Sequence, residues 1–162
     1  MLRIRAAGPD DVPAVLQFIR ALAEYERLAA EVEATEERLH AALFGPRPYA
    51  EALLAEWDGK PAGFALFFHN FSTFLARPGI YLEDLFVTPE MRGHGIGRAL
   101  LSELARIALL RGCGRLEWAV LDWNEPALRF YRSIGARSMP EWTIERLTGE
   151  ALERLARAER PL

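Results

Sequence analysis

The sequence predicts an α/β fold of mixed α+β type, a central sheet with helices on its faces. Three observations predict it. Segments of period two alternate with segments of period near 3.6 in the order β, α, α, β, β, β, α, β, α, β. The middle of the chain, Ile80 to Leu121, reads as a strand, a helix and a strand, the pattern of a parallel crossover. Ahead of it, two strand-like runs flank Asp58-Gly59, an antiparallel hairpin signal. Parallel and antiparallel pairs together make the sheet mixed. At 162 residues the chain fits one domain, 1–162, with a core of its own.

Each element has its local reason. Leu2 to Arg5 is a short strand, and Asp10 or Asp11 then offers a cap for a helix carrying Val12, Leu16, Ile19 and Ala23 on one stripe and ending near Tyr25. Thr35 to Leu43 is a second helix, stopped by "GPRP" at Gly45 to Pro48. The hairpin follows in "YAEALLAEWDGKPAGFALFF", then a loop rich in Phe, Asn, Ser and Pro. Ile80 to Val87 is a strand, Gly95 to about Arg111 a helix with Ile96, Leu100, Leu104 and Ile107 on one side, and Leu116 to Leu121 a strand. Pro126 opens a short helix bearing Leu128, Phe130, Tyr131 and Ile134, closed by Gly135. Glu141 to Leu147 alternates like a strand, and Glu150 to Arg157 reads as a terminal helix.

Composition excludes several function classes. Hydrophobic residues make up 51% and charged residues 27%, and a net charge of -3 gives no general attraction to nucleic acid. The single cysteine, Cys113, rules out an internal disulfide framework and a multi-cysteine zinc site, which fits a reducing compartment. "MLRIRAAGPDD" has no signal-peptide pattern, and the longest apolar run, Ala62 to Phe68, is too short to span a bilayer. The expectation is a cytoplasmic protein with no membrane or nucleic-acid partner. His40, His69 and His94 are scattered, so no metal is expected.

The informative stretch is "PEMRGHGIGRALL", Pro89 to Leu101, with glycines at alternate positions before a helix. A bare helix start presents unpaired N–H groups and the positive end of the dipole, which suits a phosphate. Glycines let two close anionic groups reach several amides, and Arg92 or Arg98 adds charge-assisted bonds. A dinucleotide fold is one reading, with Glu117 as the ribose acid, but Gly93, Gly95 and Gly97 are spaced GxGxG and "TPEMR" separates them from the strand. No lysine follows, as a P-loop requires. A plain tight turn is the remaining alternative.

Arg92, Gly95 and Gly97 form RxxGxG after the strand "YLEDLFV", and this arrangement resembles the acyl-CoA signature of the GCN5-related N-acetyltransferase (GNAT) family. "LDWNEPALRFYRSIGA", Leu121 to Ala136, and "LAEYE", Leu22 to Glu26, resemble its diamine (spermidine/spermine) and thialysine acetyltransferase branch. The resemblance implies a single-domain acyltransferase fold and acetyl-CoA as donor. Its diphosphate would lie on the loop and helix start, Arg92, Gly93, His94, Gly95, Ile96, Gly97 and Arg98. The backbone of Leu85, Phe86 and Val87 would hold the pantetheine arm on a splayed strand, and Asn124 and Ala127 would touch the thiol end.

By the same resemblance Glu83 is the base that takes the amine's proton through water, and Tyr131 protonates the departing thiolate. Read from the residues alone, Glu83 also fits a strand-end charge, Tyr131 a core aromatic and Asn124 a helix cap. Tyr25 and Glu26, with Glu83 and Asp84, match the amine-binding end; a regular strand would turn Asp84 to the opposite sheet face from Glu83. "SMPEW" places Pro140 where the animal diamine enzymes have an acid, with Glu141 beside it. The implied function is direct acetyl transfer to a primary amine of a diamine, polyamine or small amino acid, by a homodimer with its C-terminal segment at the contact. The alternatives are a non-catalytic acetyl-CoA-binding module, or acceptors such as a protein N-terminus or an amine antibiotic.

Overall fold

The computed structural model describes residues Met1–Ala158, so the last four positions of the expected 1–162 domain lie outside it. Residue contacts divide the chain into two compact units, Met1–Leu121 and the described residues from Asp122 onward.

The first unit contains β1 (Leu2–Ala6), α1 (Val12–Tyr25), α2 (Glu36–Phe44), β2 (Glu51–Trp57), β3 (Lys60–Ser72), β4 (Arg77–Val87), α3 (Ile96–Leu110) and β5 (Leu116–Trp118). The strands lie in the order β1-β2-β3-β4-β5. The first three pairings are antiparallel and β4 with β5 is parallel, so the sheet is mixed and α3 is the crossover. The β2–β3 turn has positive φ at both Asp58 (+49°) and Gly59 (+80°), as a two-residue hairpin of the right twist demands. On one face, Val15 and Phe18 of α1 and Leu43 of α2 pack with Ala52, Leu54, Phe64 and Phe86. Phe18 stacks on Phe64 with centroids 5.3 Å apart. α3 packs on β3 and β4, burying Ile96, Leu100, Leu101 and Leu104.

In this unit three local expectations need correction. The loop expected after Phe68 is strand: β3 and β4 stay paired to Ser72↔Arg77, because Asn70 and Pro78, which read as loop residues, are accommodated in the ladder near its tip. β5 ends at Trp118, not Leu121, because its register with β4 stops at Leu82↔Trp118. Neither aspartate caps the first helix with its side chain. Asp11 instead accepts the Gly8 amide at 2.7 Å and two bonds from Arg5 at 2.7 and 2.9 Å, which holds its carboxyl below the usual range.

In the second unit, α4 (Glu125–Ser133) and α5 (Gly149–Arg157) form as expected. Asn124 caps α4 by accepting the Ala127 amide at 3.4 Å, and Gly135 follows the helix with φ +92°. Glu141 to Leu147 is not a strand; it is exposed and irregular. Alternation specifies which face is apolar, but a strand also needs a neighbour to bond with.

Candidate active site

The segment from Pro89 to Arg98 is a 3₁₀ turn (Pro89–Met91), a bare loop to Gly95 and the first residues of α3. Met91 and Arg92 donate their amides to Thr88 and Pro89, and the next bonded backbone amide among the described residues is Ala99, to the Gly95 carbonyl at 3.0 Å. The N–H groups of Ile96, Gly97 and Arg98 therefore open the helix without intrahelical partners. Gly93 and Gly95 have φ of +82° and +78°, values that favour glycine. A Cβ at either would meet nothing within 4 Å, so here glycine serves conformation and leaves the backbone accessible. No acidic residue lies in the first turn of α3 to compete for its positive end.

The loop side chains are turned to specific partners. The Arg92 guanidinium lies 5.0 Å from the Tyr25 ring centre and 5.5 Å from that of Phe86, and its Nε donates to the Val87 carbonyl at 3.1 Å. Arg98 is exposed in the first turn. His94 directs Nδ1 at the carbonyls of Met91 and Arg92, 3.2 Å from each, and its ring meets Trp57 edge to face at 5.3 Å.

β4 is not regular where it matters. Leu66 pairs with Asp84 and the next residue, Phe67, pairs with Leu82, so Glu83 is bulged out without a cross-strand partner. The bulge cancels the alternation that would have separated Glu83 from Asp84. Asp84 lies on the α1 side, opposite Leu66 and two residues from Phe86, which belong to that core. Burial pushes its carboxyl up to about 6, and the charges of Glu83 and Glu26 add to the rise. Glu26, just past the end of α1, is raised for the same reasons, burial first and Glu83 second. Three carboxylates from two elements thus share one electrostatic neighbourhood. Beyond Leu82 the β5-facing edge of β4 has no strand partner among the described residues, which leaves main-chain groups of Leu85, Phe86 and Val87 along that edge.

The structure brings together Tyr25, Glu26, Glu83, Asp84, Phe86 and Arg92, all in the first unit. Asn124, Ala127 and Tyr131 belong to the second, where Asn124 and Ala127 bond each other and Tyr131 is half-buried, its ring 5.6 Å from that of Phe130. Sequence reasoning passed over Tyr81. Its phenol is raised by burial and by Glu83 and Glu117, which flank it along β4 and across on β5. The period of "IYLEDLFV" could have singled it out, as a polar group on an apolar strand.

Chemically, the loop supplies several convergent N–H donors and a dipole end, which fit a diphosphate, while the adjacent carboxylates suit a cationic amine. Among the described residues no group of three or more His, Cys, Asp or Glu is arranged to hold a metal ion, and no helix is long and apolar enough to cross a membrane.

Comparison with known proteins extends this picture. The model of the Acetyltransferase (GNAT) family matches residues 15–136. The chain is similar to a thialysine N-epsilon-acetyltransferase of Bos taurus, 41% identical over 94% of this chain and 96% of that one. It is also similar to the L-ornithine N5-acetyltransferase NATA1 of Arabidopsis thaliana, 35% identical over 93% of this chain and 86% of that one. Among solved structures, an integron cassette protein from the mobile metagenome of V. cholerae superposes with a TM-score of 0.80 at 30% identity, covering 97% of this chain and 98% of that chain.

Proposed function

The chain belongs to the Acetyltransferase (GNAT) family and is an acetyl-CoA-dependent N-acetyltransferase; from that premise we propose that its acceptor is the terminal amine of a small dibasic amino acid or a short diamine. The observation that carries this reading is the group of three carboxylates, Glu26, Glu83 and Asp84, beside the open edge of β4. Such a group draws in a cation and then lowers its own charge by accepting a proton. The relatives named for thialysine and ornithine acetylation support an amino-acid amine, and so does Pro140, which stands where the resemblance to the diamine branch implies an acid.

Acetyl-CoA, when bound, supplies a thioester carbonyl carbon. The amides of Gly93 to Arg98 receive its diphosphate, and the main chain of Leu85, Phe86 and Val87 receives the amide-bearing arm. A primary aliphatic amine has a pKa of about 10 and arrives as its ammonium ion. Glu83, with the Asp84 carboxyl next to it in the chain, takes a proton from it, directly or through water. The freed nitrogen lone pair forms the new C–N bond as the carbonyl pair moves onto oxygen, and the C–S bond breaks with its electron pair on sulfur as the carbonyl re-forms. Tyr131 gives that thiolate its phenolic proton, and the second proton shed by the acetylated nitrogen passes through water to restore the phenol. Asn124 and Ala127 complete the proposed thiol-end contacts.

We further propose a homodimer in a reducing, cytoplasmic setting. Exposed Trp142 (76%), Ile144 (74%) and Leu155 (65%) in the C-terminal segment support a contact there, and the free Cys113 supports the setting. Sedimentation velocity tests the dimer. The acceptor is tested by thiol release from acetyl-CoA against L-ornithine, lysine, thialysine, short diamines, spermidine and small peptides. Preference for a peptide or for spermidine would overturn the small-acceptor reading, and tight acetyl-CoA binding without release would point to a non-catalytic module.

A further inference from the structure

The face of the sheet that carries Asp84 continues past Tyr81 into a group of residues that the reaction leaves unused. Along β3, Leu66, Phe68, Asn70 and Ser72 alternate onto one face. Phe68 pairs with Tyr81, ring centres 5.3 Å apart, and Tyr81 pairs with Glu117 of β5. Asn70 Nδ2 donates to Glu117 Oε1 at 3.4 Å, and Arg115 Nη2 donates to Ser72 Oγ at 3.1 Å. From Asp84 outward the face therefore reads carboxylates, two aromatic rings, a carboxylate, a guanidinium.

The last two charges are set apart in a specific way. Arg115 Nη1 and Glu117 Oε1 are 3.9 Å apart, with side chains 46% and 40% exposed. Elsewhere in the same unit arginines close tightly on their acids: Arg111 on Glu51 at 2.7 and 2.9 Å, Arg5 on Asp11 at 2.7 and 2.9 Å. The Arg115–Glu117 pair is held open by side bonds, to Ser72 on one partner and Asn70 on the other. Gly79 makes room for this: a Cβ there would lie 2.3 Å from Asn70 Oδ1, so only a bare backbone lets the amide lie across β4 towards Glu117.

We propose that Arg115 and Glu117 are a second acceptor subsite, which takes the α-carboxylate and α-ammonium of an amino acid whose terminal amine reaches Glu83 and Asp84. The proposal rests on the acceptor reading above and names the part of the site that separates amino acids from plain diamines. Two residues along β4 at about 3.3 Å each and one strand across at about 4.8 Å put Glu83 and Glu117 about 8 Å apart at Cα. An extended chain of four bonds of about 1.5 Å spans about 5 Å from α-carbon to terminal nitrogen, and the acidic side chains cover the rest. The methylenes lie along Phe68 and Tyr81. A zwitterionic head matches the open pair charge for charge, its ammonium on Glu117 with Asn70 as positioning residue and its carboxylate on Arg115. Both carboxylates that raise the Tyr81 phenol, Glu83 and Glu117, are those assigned to the two ends of the acceptor.

The test uses three acceptors that differ by one group at a time: L-ornithine, 1,4-diaminobutane, which lacks the carboxylate, and butylamine, which also lacks the second ammonium. Steady-state constants are measured for the native enzyme, Arg115→Gln and Glu117→Gln. Arg115→Gln is expected to lower kcat/KM for L-ornithine at least tenfold more than for 1,4-diaminobutane, through KM. Glu117→Gln is expected to lower it for both at least tenfold more than for butylamine. Calorimetry of L-ornithine binding to the enzyme with CoA present should show the same rise in Kd. Equal effects on all three amines, or none, overturn the subsite while the acceptor reading stands. If the native enzyme acetylates none of the three, the acceptor reading falls and the subsite falls with it.

Discussion

The two ends of α3 are built on opposite plans. At its C-terminal end Gly112, with φ +71°, donates to Leu109 and Cys113 donates to Ala108, the paired bonds that close a helix with a left-handed glycine. Arg111 then binds Glu51 through both guanidinium nitrogens and donates to His69 Nε2 at 2.9 Å, while His69 Nδ1 donates to the Gly79 carbonyl at 2.9 Å. At the N-terminal end two left-handed glycines do the reverse, leaving the amides of the first turn bare and offering no side-chain cap. One helix thus has an end saturated by its own protein and an end whose amides are left to solvent or a ligand. The closed end ties α3 to β2, β3 and β4, which fixes where the open end points.

The largest way to break this contrast is to fill the open end with charge. Gly95→Asp places a carboxylate on the anion cradle, and a full charge about 5 Å away at an effective dielectric of about 20 costs about 3 kcal/mol, or about 200-fold in affinity. Because a Cβ at Gly95 meets nothing and aspartate tolerates positive φ, the fold should survive. Calorimetry with acetyl-CoA at unchanged circular dichroism is the measurement; native affinity would remove the cradle. Tyr131→Phe sharpens the same point from the side of chemistry. Turnover is expected to fall about 100-fold by loss of a general acid, with acetyl-CoA affinity kept within about twofold. A parallel loss of affinity would mean that Tyr131 grips rather than protonates.

Asp84→Asn probes the strand next to the open end. The Asp84 carboxyl titrates near 6 in the fold against an ordinary 3.8, so the fold penalises its charged form. That penalty is absent below the ordinary value and complete above about 6, and amounts to about 3 kcal/mol at most. The variant should therefore melt at a higher temperature than the native protein at pH 8, and the gap should close between pH 6 and pH 4. Its activity should be lower, without the native loss of kcat/KM as pH falls through about 6. A variant that keeps that limb would show that Asp84 is not the group behind it.

The parts of this site that were legible in the sequence are those where one residue type is obligatory. Left-handed backbone at Asp58-Gly59, Gly93 and Gly95 demands glycine or a close substitute, so the hairpin and the cradle announce themselves. The Glu83 bulge has no such marker, since it is a mismatch of registers between β3 and β4 that neither strand shows alone. The nearness of Asp84 to Glu26 follows from the bulge, and the sequence shows it only through the resemblance that matches both to an amine-binding end. Glu141 to Leu147 failed for the converse reason: its pattern was strand-like, but pairing is decided by neighbours that a local pattern does not contain. In the sequence Glu117 reads as the ribose acid of a different fold, and only its register opposite Tyr81 shows what it faces.

The smallest expected effect comes from the closed end. Arg111 bonds Glu51 and holds its carboxyl below the usual range, so the pair adds stability that is present above the unfolded value of 4.5 and is lost as pH falls through the depressed one. Both side chains are well exposed, 38% for Arg111 and 47% for Glu51, and salt screens them, which limits the gain to about 1 kcal/mol or less. Glu51→Gln should lower the unfolding midpoint slightly at pH 7 and leave it unchanged in acid, where both proteins carry a neutral side chain. Acetyl-CoA affinity should be unaffected, because the change lies one helix length, about 22 Å, from the cradle. A loss of affinity in Glu51→Gln would show that the closed end governs the amides at the other through the orientation of α3, and the two ends would then be one device instead of two.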